Sequence, residues 1–203
     1  MQKNNSLVED SIFSYSYWKM AMNEKNKTNI LAITAFMIAL QIAMSSFFIP
    51  VGENLRIYFS FVTTAVSCLI GGPVLALCYG FIADNIGFIL HPLGAYFPGY
   101  TITAMSGAFL YAIFFYHKRI TITRIFLCKL TVNLFVNVLM GSLWSAMLMG
   151  KGYYYYFAKS IVKNTLMLPI EVILLVSVFQ LVLPILYEKG IITNGIHKKI
   201  RLF

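Results

Sequence analysis

A chain of 203 residues that is 59% hydrophobic and only 11% charged, with a mean hydropathy of +0.76, is not an ordinary soluble domain, where about 25% of residues carry charge. It reads as an all-α integral membrane protein with room for about six spans of ~20 residues and for no sizeable soluble domain. The net charge of +9 lies in separate clusters beside apolar runs, as membrane topology requires and nucleic-acid binding does not, and no G-x-x-x-x-G-K-S/T loop is present to serve an ATPase.

Residues 1–29 form a polar tail expected in the cytoplasm. Its aromatic patch, Phe13, Tyr15, Tyr17 and Trp18, followed by Lys19, Lys25 and Lys27, is read either as a short interfacial helix or as a mobile tail. The transmembrane domain then covers 30–187. Its first span, 30–49, carries Ala35, Ala39 and Ala43 at strict four-residue intervals. Small residues on one stripe let another helix approach closely, and in lipid such packing drives association. The partner is either another subunit or a helix of this same chain.

Pro50, Gly52 and Asn54 mark a turn, with Glu53 and Arg56 beside it. The second span is expected over 56–70, with Ser60, Thr63, Thr64 and Ser67 on one face. Gly71, Gly72 and Pro73 turn the chain into span 3, Pro73 being suited to a first helical position. In span 3 the spacing places Gly80, Asp84, Gly87 and His91 on one helix face. An ionised carboxylate at lipid depth is costly unless it faces a polar cavity or a partner, so Asp84 is the first candidate for a binding site. The alternative is a structural Asp84 paired with a lysine of another span.

A loop rich in Gly, Pro and aromatic residues follows, from His91 through Tyr96 and Phe97 to Pro98, suited to an interfacial belt or to a cover over a ligand. Span 4, from Pro98 to about residue 116, sets Tyr100, Thr103, Gly107 and Tyr111 on one stripe. His117, Lys118, Arg119 and Arg124 make the next connection cytoplasmic, which places both termini inside and loops 50–56, 88–99 and 149–158 outside. Span 5, over 124–148, aligns Lys129, Asn133, Asn137 and Gly141, with Trp144 near. Lys129 is expected to snorkel to the inner surface, whereas the asparagines need partners at depth. Span 6, over 157–187, carries Lys159, Lys163 and Asn164 near its outer end, Glu171 deeper, and Pro169 as a kink. A basic cytoplasmic tail with Lys198, Lys199 and Arg201 occupies 188–203.

At ~1.5 Å per helical residue, Arg56, Asp84, Asn137, Trp144 and Lys163 gather in the outer half of the membrane, and the inner half reads as plainer. That describes one pocket open to the outside, for a ligand with apolar faces and charged ends. Arg56 and Lys163 suit carboxylates, and Asp84 suits a ring with adjacent N–H groups. Cys68, Cys78 and Cys128 lie in apolar segments with no C-x-x-C pair, so neither a metal nor a cofactor is expected. A membrane enzyme would need a second intramembrane Asp, a Ser/His couple or an H-E-x-x-H helix, and a channel would need a filter-like loop; the sequence has none of these.

The motifs LRIYFSFV, GGPVLALCYGFIADNIG, GAYFPGYTITAMSGAFLYAIFF and LMLPIE, in that order behind the alanine stripe, resemble the folate-family S components of energy-coupling factor (ECF) vitamin transporters. The resemblance covers about 30–187. It implies a six-helix receptor that binds folate or a related pterin with high affinity on the outer side and performs no chemistry of its own. It further implies partners: one transmembrane coupling subunit and two ATPases that supply the energy for release inside a bacterial cell. By this likeness Ala35, Ala39 and Ala43 form the docking face. Arg56, Asp84, Tyr96, Pro98, Tyr100, Thr103 and Lys163 belong to the pocket or its cover, beside His91, Asn137 and Trp144. The chain departs from the folate branch at Gly141, Ser142, Lys159 and Glu171, which keeps another small vitamin, pantothenate or riboflavin, as the alternative ligand.

Overall fold

The computed structural model describes residues 14–24, 27–45, 48–52, 55–92, 94, 96–150, 152–192 and 200, with only the backbone described over 48–57. A short helix, α1 (Tyr15–Glu24), precedes α2 (Thr28–Ser45); strands β1 (Phe48–Gly52) and β2 (Leu55–Tyr58) then form an antiparallel hairpin. Next come α3 (Phe61–Leu90) and α4 (Pro98–Phe115). One continuous helix follows, made of α5 (Ile122–Thr131), a π-helical stretch (Val132–Met140) and α6 (Gly141–Met149), and α7 (Tyr153–Glu188) closes the bundle.

Helical stretches 28–45, 61–90, 122–149 and 153–188 are each long and apolar enough to cross a membrane. The second is two helices in one. At Gly72 the backbone takes φ +73°, outside the helical range, so α3 breaks into limbs 61–71 and 73–90. Only glycine adopts that conformation without strain, and Pro73, which has no N–H to leave unpaired, starts the second limb. With α2, α4, the α5–α6 helix and α7, the limbs give six membrane helices. α7, at 36 residues, is about 54 Å long and outruns a hydrocarbon core of about 30 Å.

Span 2 is shorter than its sequence suggested. Residues from 55 to 58 pair as β2 with β1, Arg56 opposite Pro50 and Tyr58 opposite Phe48, so the helix begins at Phe61. Hydrophobicity alone does not separate a strand from the first turn of an apolar helix. The helix also runs on through Pro169 and Pro184. Thr121 caps α5 by accepting a hydrogen bond from the Arg124 backbone N–H at 3.2 Å, and Gly150 ends α6 in the left-handed conformation.

The core is aromatic and aliphatic: Tyr79, Phe115, Ile125, Leu175 and Phe179 are fully buried, and the rings of Phe115 and Phe179 meet edge to face at 5.1 Å. Helix α1 packs onto the bundle through Tyr17 and Ala21, both wholly buried. The Tyr17 ring lies 5.6 Å from that of Tyr116, which in turn covers Gly72. Burial pushes the Tyr17 hydroxyl up to about 12. Outward-facing Phe36, Ile89, Leu166, Ile173 and Leu181 stay exposed on the helix surfaces, as lipid-facing residues do.

Candidate functional site

The stripes read from the helical period converge. Gly80, Asp84, Gly87 and His91 of α3 and Tyr100, Thr103, Gly107 and Tyr111 of α4 all line one cavity of about 730 Å³, well within the size of small-molecule sites. The cavity begins beneath the end of the hairpin at Tyr58 and the segment 91–97, and it reaches down to Lys129 and Glu171.

Near its mouth, Thr101 Oγ1 donates to Asp84 Oδ2 at 2.7 Å. The Tyr96 hydroxyl donates to Asn85 Oδ1 at 3.0 Å and stands 3.4 Å from Thr101 Oγ1, while its ring lies 5.2 Å from that of Phe88. The segment before α4 is thereby tied to the end of α3, and Asp84 is half-buried at the cavity wall. Among the described residues no lysine pairs with it, so the structural alternative for Asp84 does not hold. Tyr96 and Tyr100 remain 47% and 39% exposed, enough to reach a ligand without being part of the core.

Three expected residues stand off the cavity surface. Trp144 sits behind Thr103: its Nε1 donates to Thr103 Oγ1 at 2.9 Å, and that hydroxyl donates to Gly99 O at 2.9 Å. Phe97 packs its ring 5.4 Å from Trp144, so Trp144 sets the position of Thr103 from the second row. Pro98 is the first residue of α4, exposed and not at the cavity. Arg56 lies in β2, and its side chain is outside the described residues. Lys163 and Asn137 do line the cavity.

The deeper part corrects the sequence reading. Lys129 does not snorkel; it is 1% exposed and its Nζ lies 3.1 Å from Glu171 Oε2 and 4.3 Å from the centre of the Phe61 ring. A buried charge pair is held together because either member alone would be a bare charge in a low-dielectric interior. Asn133 Nδ2 donates to the same Glu171 Oε2 at 2.8 Å. Asn137 Nδ2 donates to Asn133 Oδ1 at 3.0 Å and stands 3.3 Å from Asn164 Oδ1. Asn164 Nδ2 donates to Ser160 O at 2.8 Å, and Ser160 Oγ to Asn137 O at 3.2 Å. The inner half is therefore not plain. It holds a charge-centred network that joins α5, the π-helical stretch and α7. That stretch, with i→i+5 bonding, carries both asparagines, and such wide turns occur mostly at functional sites. The available signal was two opposite charges, each alone in its span, which at that depth have to find each other. Nothing in the sequence marks Thr101 as the partner of Asp84.

On α2, Ile30, Thr34 and Ile38 face inward and are buried, and Ala35, Ala39 and Ala43 are exposed on the opposite side. The small-residue stripe does not pack inside this subunit.

No family model matches the chain. It is 35% identical over 156 residues to "Folate transporter FolT" of Clostridium novyi (strain NT), covering 77% of this chain and 91% of that protein. It is 29% identical over 155 residues to "Folate transporter FolT" of Leuconostoc mesenteroides subsp. mesenteroides, covering 73% and 83%. Among solved structures, "Crystal structure of FolT bound with folic acid" matches with a TM-score of 0.68 and 29% identity, over 73% of this chain and 91% of that one.

Proposed function

We propose, from the premise that this chain belongs to the FolT family, the folate-family S components of ECF transporters, that it captures folate or a related pterin outside the cell. It then hands the vitamin to the cytoplasm together with an ATP-driven coupling module. The observation that carries this reading is the 730 Å³ cavity on which the polar stripes of α3, α4 and the later helices converge. Its walls mix aromatic surface with a few directed polar groups, the composition that orients an amphipathic small molecule.

Asp84, His91, Tyr96, Tyr100, Thr103, Asn137 and Lys163 are the proposed contacts. Pro98 and Trp144 shape the wall behind them, and Arg56 adds a cation from the hairpin. A lysine and an arginine at the mouth suit the carboxylates of a glutamyl tail. The subunit catalyses nothing in this scheme; it binds, and energy comes from two ATPases acting through a transmembrane coupling subunit. Exposure of Ala35, Ala39 and Ala43 on the outer face of α2 supports that stripe as the coupling subunit's docking face. Both tails, 1–29 and 188–203, lie on the cytoplasmic side of a bacterial cell membrane in this reading.

The test is calorimetric titration of the detergent-purified protein with folate, pantothenate and riboflavin. Folate binding at sub-micromolar concentration, with no heat from the other two, is the expected outcome. Binding of pantothenate or riboflavin with none of folate would replace the folate reading by the corresponding vitamin.

A further inference from the structure

Two buried hydroxyls on the cavity wall have no hydrogen-bond partner among the described residues: Tyr111 and Ser142, which are 3% and 1% exposed. Leaving such a group unpaired costs stability, so the positions point to something the cavity is built to receive. Tyr111 belongs to the inner end, where its ring centre lies 6.0 Å from Lys129 Nζ. Glu171 faces the same space. Both of its described bonds, from Lys129 and from Asn133, fall on Oε2, so Oε1 keeps its lone pairs for a donor arriving in the cavity.

The charges of this end matter as much as its hydrogen bonds. Lys129 cancels Glu171, so the inner end is polar yet neutral overall, and a carboxylate brought there would meet Glu171 at close range. Lys159 and Lys163 line the cavity further along α7, Lys163 about 12 Å from Glu171 at the rise of a helix. A ligand with an anionic tail and a neutral ring bearing N–H groups is therefore sorted by the cavity: tail toward the lysines, ring toward Glu171.

We infer that the inner end of the cavity, formed by Tyr111 and Glu171, is the subsite that reads the hydrogen-bonding edge of a flat, neutral heteroaromatic ring. In this assignment Glu171 Oε1 accepts a ring N–H or amino group and the Tyr111 hydroxyl bonds a neighbouring ring atom. Lys129 and Asn133 are positioning residues that hold Glu171 charged and fixed. Asp84, already engaged by Thr101, is left to the part of the ligand nearer the mouth. The inference rests on the folate reading above and specifies which end of the molecule enters first.

The experiment is displacement of radiolabelled folate from purified wild-type, Tyr111→Phe and Glu171→Gln proteins by three competitors: folate, unsubstituted pterin as the ring fragment, and p-aminobenzoylglutamate as the tail fragment. Tyr111→Phe keeps shape and leaves the Lys129–Glu171 pair intact, so it reports even where Glu171→Gln fails to fold. The expected result is roughly a five-fold loss of folate affinity in Tyr111→Phe and roughly ten-fold or more in Glu171→Gln. Pterin should show the same losses and the tail fragment none. Unchanged folate affinity in Tyr111→Phe, or losses borne by the tail fragment and not by pterin, overturns this subsite while folate binding by the wild type stands. Wild-type protein that binds neither folate nor pterin overturns the folate reading and the subsite together.

Discussion

Replacing Gly80 by alanine tests how the bundle and the cavity depend on one close approach. A Cβ at Gly80 would stand 2.7 Å from Met105 Cα, 2.8 Å from Ala104 O and 2.9 Å from Ala104 C. All three are backbone atoms of α4, so no side chain can swing away. Carbon atoms settle at about 3.5–4.0 Å, so α3 and α4 have to part locally by about 1 Å. Two effects of opposite sign compete. Alanine in place of a helical glycine gains up to about 1 kcal/mol of helix propensity, whereas overpacking costs about 1–3 kcal/mol. The balance is a net loss on the order of 1–2 kcal/mol. One turn further along α3, the 2.7 Å bond from Thr101 to Asp84 spans the same helix pair, and about 1 Å of separation takes it beyond hydrogen-bond range. The variant should thus lose folate affinity along with thermal stability. Gly87→Ala is the matched control, since its Cβ would meet nothing within 4 Å; it should melt at or slightly above the wild-type temperature. Thermal unfolding in detergent and folate titration of both variants decide the matter. A Gly80→Ala protein with wild-type midpoint and wild-type affinity would refute the claim that this contact sets the α3–α4 spacing.

Two further outcomes are expected. Asp84→Ala and Arg56→Ala should each weaken folate binding by roughly ten-fold or more, the scale of a lost charge-assisted hydrogen bond, while the proteins stay folded; unchanged calorimetric affinity in both would reject the mouth of the cavity as a binding site. Ala39→Trp should leave folate affinity intact, because Ala39 faces away from the bundle, but should abolish co-purification with the coupling module; normal vitamin uptake by cells carrying it would count against the stripe as a docking face.

What could be read from the sequence is what helical geometry makes local. The 3.6-residue period alone placed Gly80, Asp84, Gly87 and His91 on one face, and Tyr100, Thr103, Gly107 and Tyr111 on another, and both faces do meet the cavity. The Gly72–Pro73 break was equally legible, because a left-handed glycine and a proline at a first helical position are properties of the residues themselves. Composition determined the class: too few charges and too much apolar length for anything but a membrane bundle.

Tertiary structure alone decided which polar groups face each other. Lys129 looked able to reach the inner surface by its own length, and only the approach of α7 turns it inward to Glu171, 42 positions along the chain. Thr101 and Asp84 meet because α3 and α4 touch at Gly80, a fact about two helices and not about either one. The outward aspect of Ala35, Ala39 and Ala43 was undecided for the same reason: a stripe has the same spacing whichever neighbour it meets, and the burial of Ile30, Thr34 and Ile38 on the other side settles it. Periodicity belongs to a single helix, whereas pairing in a low-dielectric interior is a property of the helices that enclose it.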